Sequence, residues 1–311
     1  CVFITKDIFD TVLSKFKKSG KKNYHFLVRA GKKFQDVVYK FCQEMIEKET
    51  FPDSFKDTTL HMIFKGGKGK RHKLPDNRFI HSKPWWPRLI EGLTVEEGMR
   101  QPLIEGSSVY QIGGQPGHRA EEHVFVMKSI IARQRAQGKS IVIQPSDIKK
   151  YFDKEMIEDV YATSLKRGVN PKSIRIWYKL NQNTRIQVRT GAGLSKYTEV
   201  GAVVGQGTIA GALGSQAVLD NGVSEYFPPG GEDELNYGTI AMAPLLFQDD
   251  IIHGTGGIRA ARLANIRIDK VVKKLNLNLH EDKTSCILLG SKKQQNDMKK
   301  ELLRKPLFCG Q

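Results

Sequence analysis

The stretch Leu245–His253 reads LLFQDDIIH. Apolar runs flank two adjacent aspartates, Asp249 and Asp250. Short apolar runs of this kind bounded by turn-forming residues predict strands, so the stretch reads as a hairpin with two like charges at its tip. A solvated turn would account for one such pair, because Asp favours turns and loops lie at the surface. A second acidic group changes the balance. Ser140–Asp147 (SIVIQPSD) reads as another strand, and Asp147 stands at its carboxyl end, where sheets present reactive groups. If the two strands are neighbours, Asp147 faces Asp249 across the sheet edge. Such a cluster repels itself unless cations neutralise it. Hard oxygen ligands select Mg²⁺, which is held by one or two carboxylates together with substrate phosphates. Two such ions about 4 Å apart clamp the attacking and leaving oxygens of an in-line displacement at phosphorus.

The composition fits that chemistry. The 311 residues carry a net charge of +17 and are 39% hydrophobic, which describes a folded chain whose partner is a polyanion such as nucleic acid or an acidic surface. The excess is uneven. Lys15 to Lys40 holds nine Lys or Arg against Asp36, and Lys65 to Lys73 (KGGKGKRHK) holds no acid. A solvated helix face explains the first cluster as well as RNA binding through counterion release does. The four cysteines show no CxxC or zinc spacing, so a reducing, intracellular setting is the expectation. No signal peptide is visible, and no apolar run reaches the ~18 residues of a membrane helix. The expectation is therefore an intracellular protein, nuclear or cytoplasmic, that is not secreted.

Along the chain, residues 1 to 50 predict amphipathic helices that end at Phe51-Pro52-Asp53. Thr59 to Phe64 predicts a strand, and the Gly-rich turn Gln111 to Arg119 (QIGGQPGHR) leads into a helix closed by Gly138. Strand, helix, helix, strand, a Gly-rich segment, helix, hairpin, helix and strand then follow. That order predicts an α+β fold with helices on one face of a mainly antiparallel sheet.

Six segments, which follow one another along the chain in the family's order, resemble a reverse transcriptase of the type found in non-LTR retrotransposons and group II introns. DIKKYFD (Asp147–Asp153) is similar to the first palm motif, D-x-x-x-x-F-D. GQGT (Gly205–Thr208) is similar to the Gln-Gly motif before a palm helix, and FQDD to the Asp-Asp hairpin. HEDKTSCILLG resembles the next motif, QPGHRAEEHVFVMKSI the Gln-x-Gly-x-Arg segment, and IFKGGKGK with NRFI the fingers segment. The resemblance covers about Thr58 to Gly310. It implies a right-hand polymerase palm, an antiparallel sheet backed by helices, with a mixed helical and strand fingers domain. The implied division is fingers with an N-terminal helical extension over 1–110, a connection over 111–139, and palm over 140–311. The implied activity is RNA-directed DNA synthesis on RNA template and DNA primer, with dNTPs as substrates.

The resemblance also implies roles. Asp147, Asp249, Asp250 and the carbonyl of Ile148 would hold two Mg²⁺, for which Mn²⁺ would substitute. Phe152 would stack on the sugar and leave no room for a 2′-hydroxyl. Gln206 would contact nucleotide and template, Lys65 and Arg78 would neutralise the triphosphate, and Lys283 would protonate the leaving pyrophosphate. Gly205 and Thr208 replace the family's usual Pro and Ser, and Phe247-Gln248 its Tyr-Ala. The chain stops about where the last palm turn would fall, so the thumb is expected in further domains of a longer polypeptide or in a ribonucleoprotein. Three other readings compete. Gly205-x-Gly207-x-x-Ala210 matches a dinucleotide fingerprint, which alone is weak. An RNA-dependent RNA polymerase shares the palm, but typically has Asp where Phe152 stands and Gly where Gln248 stands. A catalytically inactive, polymerase-derived RNA-binding scaffold is the third.

Overall fold

The amphipathic N-terminal region forms α1 (Lys6–Lys18), α2 (His25–Arg29) and α3 (Lys32–Lys48). This computed structural model describes residues 3–18, 25–66, 73–201, 204–205, 207–227, 235–237, 240–242, 244–280 and 283–307. Gln206, the Glu281-Asp282 turn and positions 67–72 of the basic loop lie outside them. In α1, Phe9, Val12, Leu13 and Phe16 fall on one face by helical spacing and are all buried. Val38, Cys42, Met45 and Ile46 do the same in α3, which ends at left-handed Glu49 (φ 49°) just before Phe51-Pro52.

The chain continues through β1 (Asp57–Phe64), β2 (Asn77–Ser82), α4 (Trp85–Gly98), α5 (Arg100–Glu105), α6 (Ala120–Ala136), β3 (Ile141–Asp147), α7 (Tyr151–Lys154), α8 (Ile157–Lys166) and α9 (Pro171–Asn181). Then come β4 (Thr184–Thr190), β5 (Gly193–Leu194), β6 (Thr198–Val200), α10 (Gly211–Tyr226), β7 (Leu235–Tyr237), β8 (Ile240–Met242), β9 (Leu245–Phe247) and β10 (Asp250–Thr255). The last elements are α11 (Ile258–Lys274), β11 (Ile287–Leu289) and α12 (Lys292–Arg304). The alternation reading missed the short strands β5 to β8, and it missed α12, which opens on a Ser291/Gln294 capping box.

These elements form two units with interleaved spans, Cys1–Gly106 with Glu155–Ser215, and Ser107–Lys154 with Gln216–Gln311. The first has a mixed sheet in the order β2-β1-β4-β5, with β6 also on β4, and β1 runs parallel to β4. Its core joins α1 and α3 to Leu89, Ile90 and Leu93 of α4 and Ile176 and Leu180 of α9. Each such side chain contributes about 1.5–3 kcal/mol on full burial. Trp177 is fully buried there and donates Nε1–H to buried Glu91 at 3.2 Å, so the indole serves the core.

The second unit carries the antiparallel sheet β11-β3-β10-β9. Leu246 and Ile251 turn to the face covered by α10 and α11, against Leu219, Val223, Ala264 and Ile268. Their neighbours Leu245 and Ile252 turn to the opposite face with Ile141 and Ile143, where Met127 and Ile130 of α6 pack. Helices therefore back both faces of this sheet, whereas the sequence pattern predicts one covered face. α6 reads as a helix of weak amphipathicity, and only its position shows what it covers.

Candidate catalytic carboxylate site

Antiparallel pairing of β3 with β10 makes Asp250 the register partner of Asp147. Directly opposed residues of a strand pair share a face, with Cβ atoms about 4.5–5.5 Å apart. Asp147 thus faces Asp250, not Asp249 as the sequence reading has it. Asp249 sits one residue earlier, in the two-residue turn between β9 and β10, because Phe247 pairs with Asp250. Strand alternation puts Asp147 and Asp250 on the α6 side of the sheet, at the end away from Ile141. Asp250 is exposed and Asp249 half-buried.

The turn is held from outside. Gln248 has φ 61°, a left-handed conformation that favours Gly at this place in a hairpin. The fully buried side chain of Gln111 grips its backbone. Gln111 Oε1 accepts from Gln248 N–H at 3.3 Å, and its Nε2 donates to the Gln248 carbonyl at 3.3 Å. The segment around Gln111 also extends the sheet beside β9. Leu246 N–H donates to the Tyr110 carbonyl at 2.8 Å, and Ile112 N–H to the Leu246 carbonyl at 3.2 Å. Gly113 permits this approach, since a Cβ there would lie 2.3 Å from Gln248 N. Gln111 and Gly113 hold the turn in place, and sequence reasoning read them only as part of a Gly-rich turn. A polar residue two places before a Gly was the available signal.

On the other side of β3, the Asp147 carbonyl accepts from His280 N–H and Lys149 N–H donates to the Asn278 carbonyl, both at 2.8 Å. Ile148 between them bridges Leu279. By alternation its own carbonyl turns to the β10 side, while its side chain is buried in the core under α10 and α11. Lys283 Nζ lies 2.7 Å from Asp147 Oδ2 and forms an ion pair with it.

Burial pushes the Asp249 carboxyl above its ordinary range, and the charges of Asp250 and Asp147 push it the same way. Asp250 is raised by burial and then by Asp147, with Lys283 opposing. All the side-chain donors here are carboxylate oxygens, the ligand type that hard divalent cations take. Among the described residues no three His, Cys, Asp or Glu side chains have converged on one ion position. Lys283 supplies the local cation at Asp147 instead.

Phe152 follows on α7, edge-on to Tyr151 at 5.6 Å and half-buried against the same core. The other unit holds the remaining predicted residues. Arg78 of β2 pairs with Ile63, and the Lys65 N–H bond to the Asp76 carbonyl continues that register. Lys65 and Arg78 are therefore exposed diagonal neighbours on one face of the β1–β2 pair. Gly205 and Gly207, on either side of Gln206, lie against β2: a Cβ on Gly205 would meet the His81 ring at 2.6 Å. The preceding strand β6 is an antiparallel edge, so the Gly205-x-Gly207-x-x-Ala210 segment lacks the parallel βαβ setting of a dinucleotide fold. His253 is buried and bonded to Gln144 at 2.8 Å, and exposed His118 pairs with Glu122 at 2.9 Å.

No family model and no curated protein sequence matches the chain. Solved structures do. Apo telomerase from Candida tropicalis, truncated from its C-terminal domain, superposes with a TM-score of 0.53 at 11% identity, over 82% of this chain and 56% of that one. Telomerase from the same yeast with the TWJ fragment of telomeric RNA gives 0.54 at 11%, over 83% and 45%. The Candida albicans complex with that fragment gives 0.51 at 10%, over 82% and 46%. This is a right-hand polymerase fold. The chain spans about half the length of these telomerases, and at such identity the likeness is one of fold. The antiparallel sheet backed by helices that the sequence leads one to expect is present in this fold.

Proposed function

We propose that this chain is the fingers and palm of a reverse transcriptase of the non-LTR retrotransposon or group II intron-like type. It adds dNTPs to the 3′-hydroxyl of a DNA primer on an RNA template, as part of a retroelement's longer polypeptide or ribonucleoprotein. The supporting observation is the Asp147–Asp250 register pair with Asp249 in the adjoining turn. Asp147, Asp249, Asp250 and the Ile148 carbonyl would hold two Mg²⁺, or Mn²⁺ in their place. Bound there, the ions would acidify the primer hydroxyl and neutralise charge on the leaving group.

The chain's own groups do the rest. Lys283, released from Asp147, donates a proton to pyrophosphate. Lys65 and Arg78 neutralise the triphosphate, the Phe152 ring excludes a 2′-hydroxyl, and Gln206 contacts the nucleotide. The +17 charge holds the nucleic-acid backbone.

The Lys283–Asp147 ion pair favours one second reading, an RNA-binding scaffold in which the lysine permanently replaces a metal. Primer extension on an RNA template, with Mg²⁺ and with chelator, separates the two. Polymerase activity predicts Mg²⁺-dependent dNTP incorporation that Asp147→Asn abolishes with the fold intact, and extension at the parental rate would remove Asp147 from the site. Phe152→Ala is expected to admit ribonucleotides, and unchanged discrimination would remove its sugar-gate role.

A further inference from the structure

β2 is an edge strand. It pairs with β1, where His81 stands opposite Leu60, and among the described residues no strand lies on its other side. Gly205, Gly207 and Thr208 take that place. A Cβ on Gly205 would stand 2.6 Å from His81 Nδ1 and 2.7 Å from its Cγ, closer than real Cβ contacts come. Gly205 has no positive φ, so its backbone conformation would accept any residue, and it is the imidazole that excludes a side chain there. Gly207 does need its freedom, with φ 105°. A Cβ on it would meet the His81 carbonyl at 3.0 Å and Ile80 Cγ2 at 3.2 Å. Successive strand residues point to opposite faces, so the segment straddles the β2 edge, with His81 on one side and Ile80 on the other. Thr208 closes the segment on itself. Its N–H and its hydroxyl both donate to the Gly205 carbonyl, at 3.2 and 3.1 Å.

Ile80 shares its face of β2 with Arg78, two residues or about 7 Å along the strand. Burial pushes His81 down to about 4, together with the charge of Lys83, so the ring is neutral near pH 7 and holds the segment by shape. We propose that His81 is a positioning residue for the incoming nucleotide: its ring seats the segment carrying Gly205, Gly207 and Thr208 on the β2 edge, beside Arg78 and Lys65. The role rests on the polymerase reading, which gives those two cations to the triphosphate. A gap or a clash at the ring shifts the segment relative to them.

Primer extension by the full chain on an RNA template, with dNTP concentration varied, tests this. Gly205→Ala and His81→Ala should each raise the dNTP KM by about tenfold, through a clash and a gap respectively, with kcat within about twofold. In the double variant the new methyl enters the vacated space, so Gly205→Ala should then lower the KM relative to His81→Ala alone. His81→Asn keeps atoms where Cγ and Nδ1 stand and should stay near the parental KM. A role confined to stability would instead reduce the active fraction, and with it kcat, at constant KM. An active parent whose KM ignores His81→Ala, or a Gly205→Ala effect equal in both backgrounds, would overturn the role and leave the polymerase reading standing. A parent that incorporates no dNTP would overturn that reading and the role with it. If Gly205→Ala fails to fold, the KM of His81→Ala against that of His81→Asn decides.

Discussion

Glu49 and Asp249 are both partly buried carboxylates, and their surroundings push them in opposite directions. Glu49, at the left-handed end of α3, receives Arg175 at 2.7 Å and Lys179 at 3.0 Å. The Arg175 hydrogen bonds, helped by Lys179, pull it down to about 2. Asp249 meets two further acids and is raised by burial and by them, with Lys283 as the opposing cation. The first arrangement is an ordinary structural ion cluster. The second works against the folded state at neutral pH, as an acid must whose pKa rises on folding. A chain with 50 Lys and Arg against 33 acids had cations to spare for Asp249. Their scarcity there is what the proposed metal-binding role of the hairpin would require.

The sharpest way to break this contrast is Asp249→Asn. Primer extension is expected to fall by about 10³-fold, the scale of losing one charge-stabilising group. The same variant should melt roughly 2 °C higher than the parent at pH 7. Between the ordinary aspartate value near 3.8 and the raised one, the folded state binds more protons, so stability falls as pH rises. The melting gap should therefore close as pH drops towards 3.8, and a variant less stable than the parent at pH 7 would refute the repulsion.

Gln111→Leu tests whether the turn depends on its clamp. Leaving the Gln248 and Gly113 N–H groups without their acceptor should cost about 1–3 kcal/mol in urea unfolding. Amide exchange at Gln248 should accelerate. The smallest effect belongs to the other side of the comparison. Glu49→Gln should cost about 0.5 kcal/mol at pH 7, since its cationic partners are half-exposed and screened. Glu49 is depressed on folding, so its contribution is present above about 4.5 and lost as pH falls towards about 2. A loss unchanged across that window would mean the ion pairs are not its source.

Much of this molecule was legible beforehand. Phe9, Val12, Leu13 and Phe16 announced α1 by their spacing, and Leu245–His253 announced a hairpin by two apolar runs around a polar turn. Asp147 at a strand end was readable too. The partner of Asp147 was not, because register depends on which carbonyl meets which N–H, and a shift of one residue exchanges Asp249 for Asp250. Gln111 escaped for another reason: its amide replaces a backbone contact 137 positions away, and local pattern carries no trace of that. The short strands β5 and β6 escaped because pairing with β4, not propensity, makes them strands.

Sequence alone therefore determined the type and order of the main elements and placed acidic residues at a strand end and a hairpin turn, since periodicity and charge are properties of neighbours in the chain. Tertiary structure alone decided which aspartates oppose each other, that Lys283 rests on Asp147, and that one buried glutamine holds the turn. Those depend on segments distant in sequence meeting at hydrogen-bond range, where a shift of a few ångströms changes every partner.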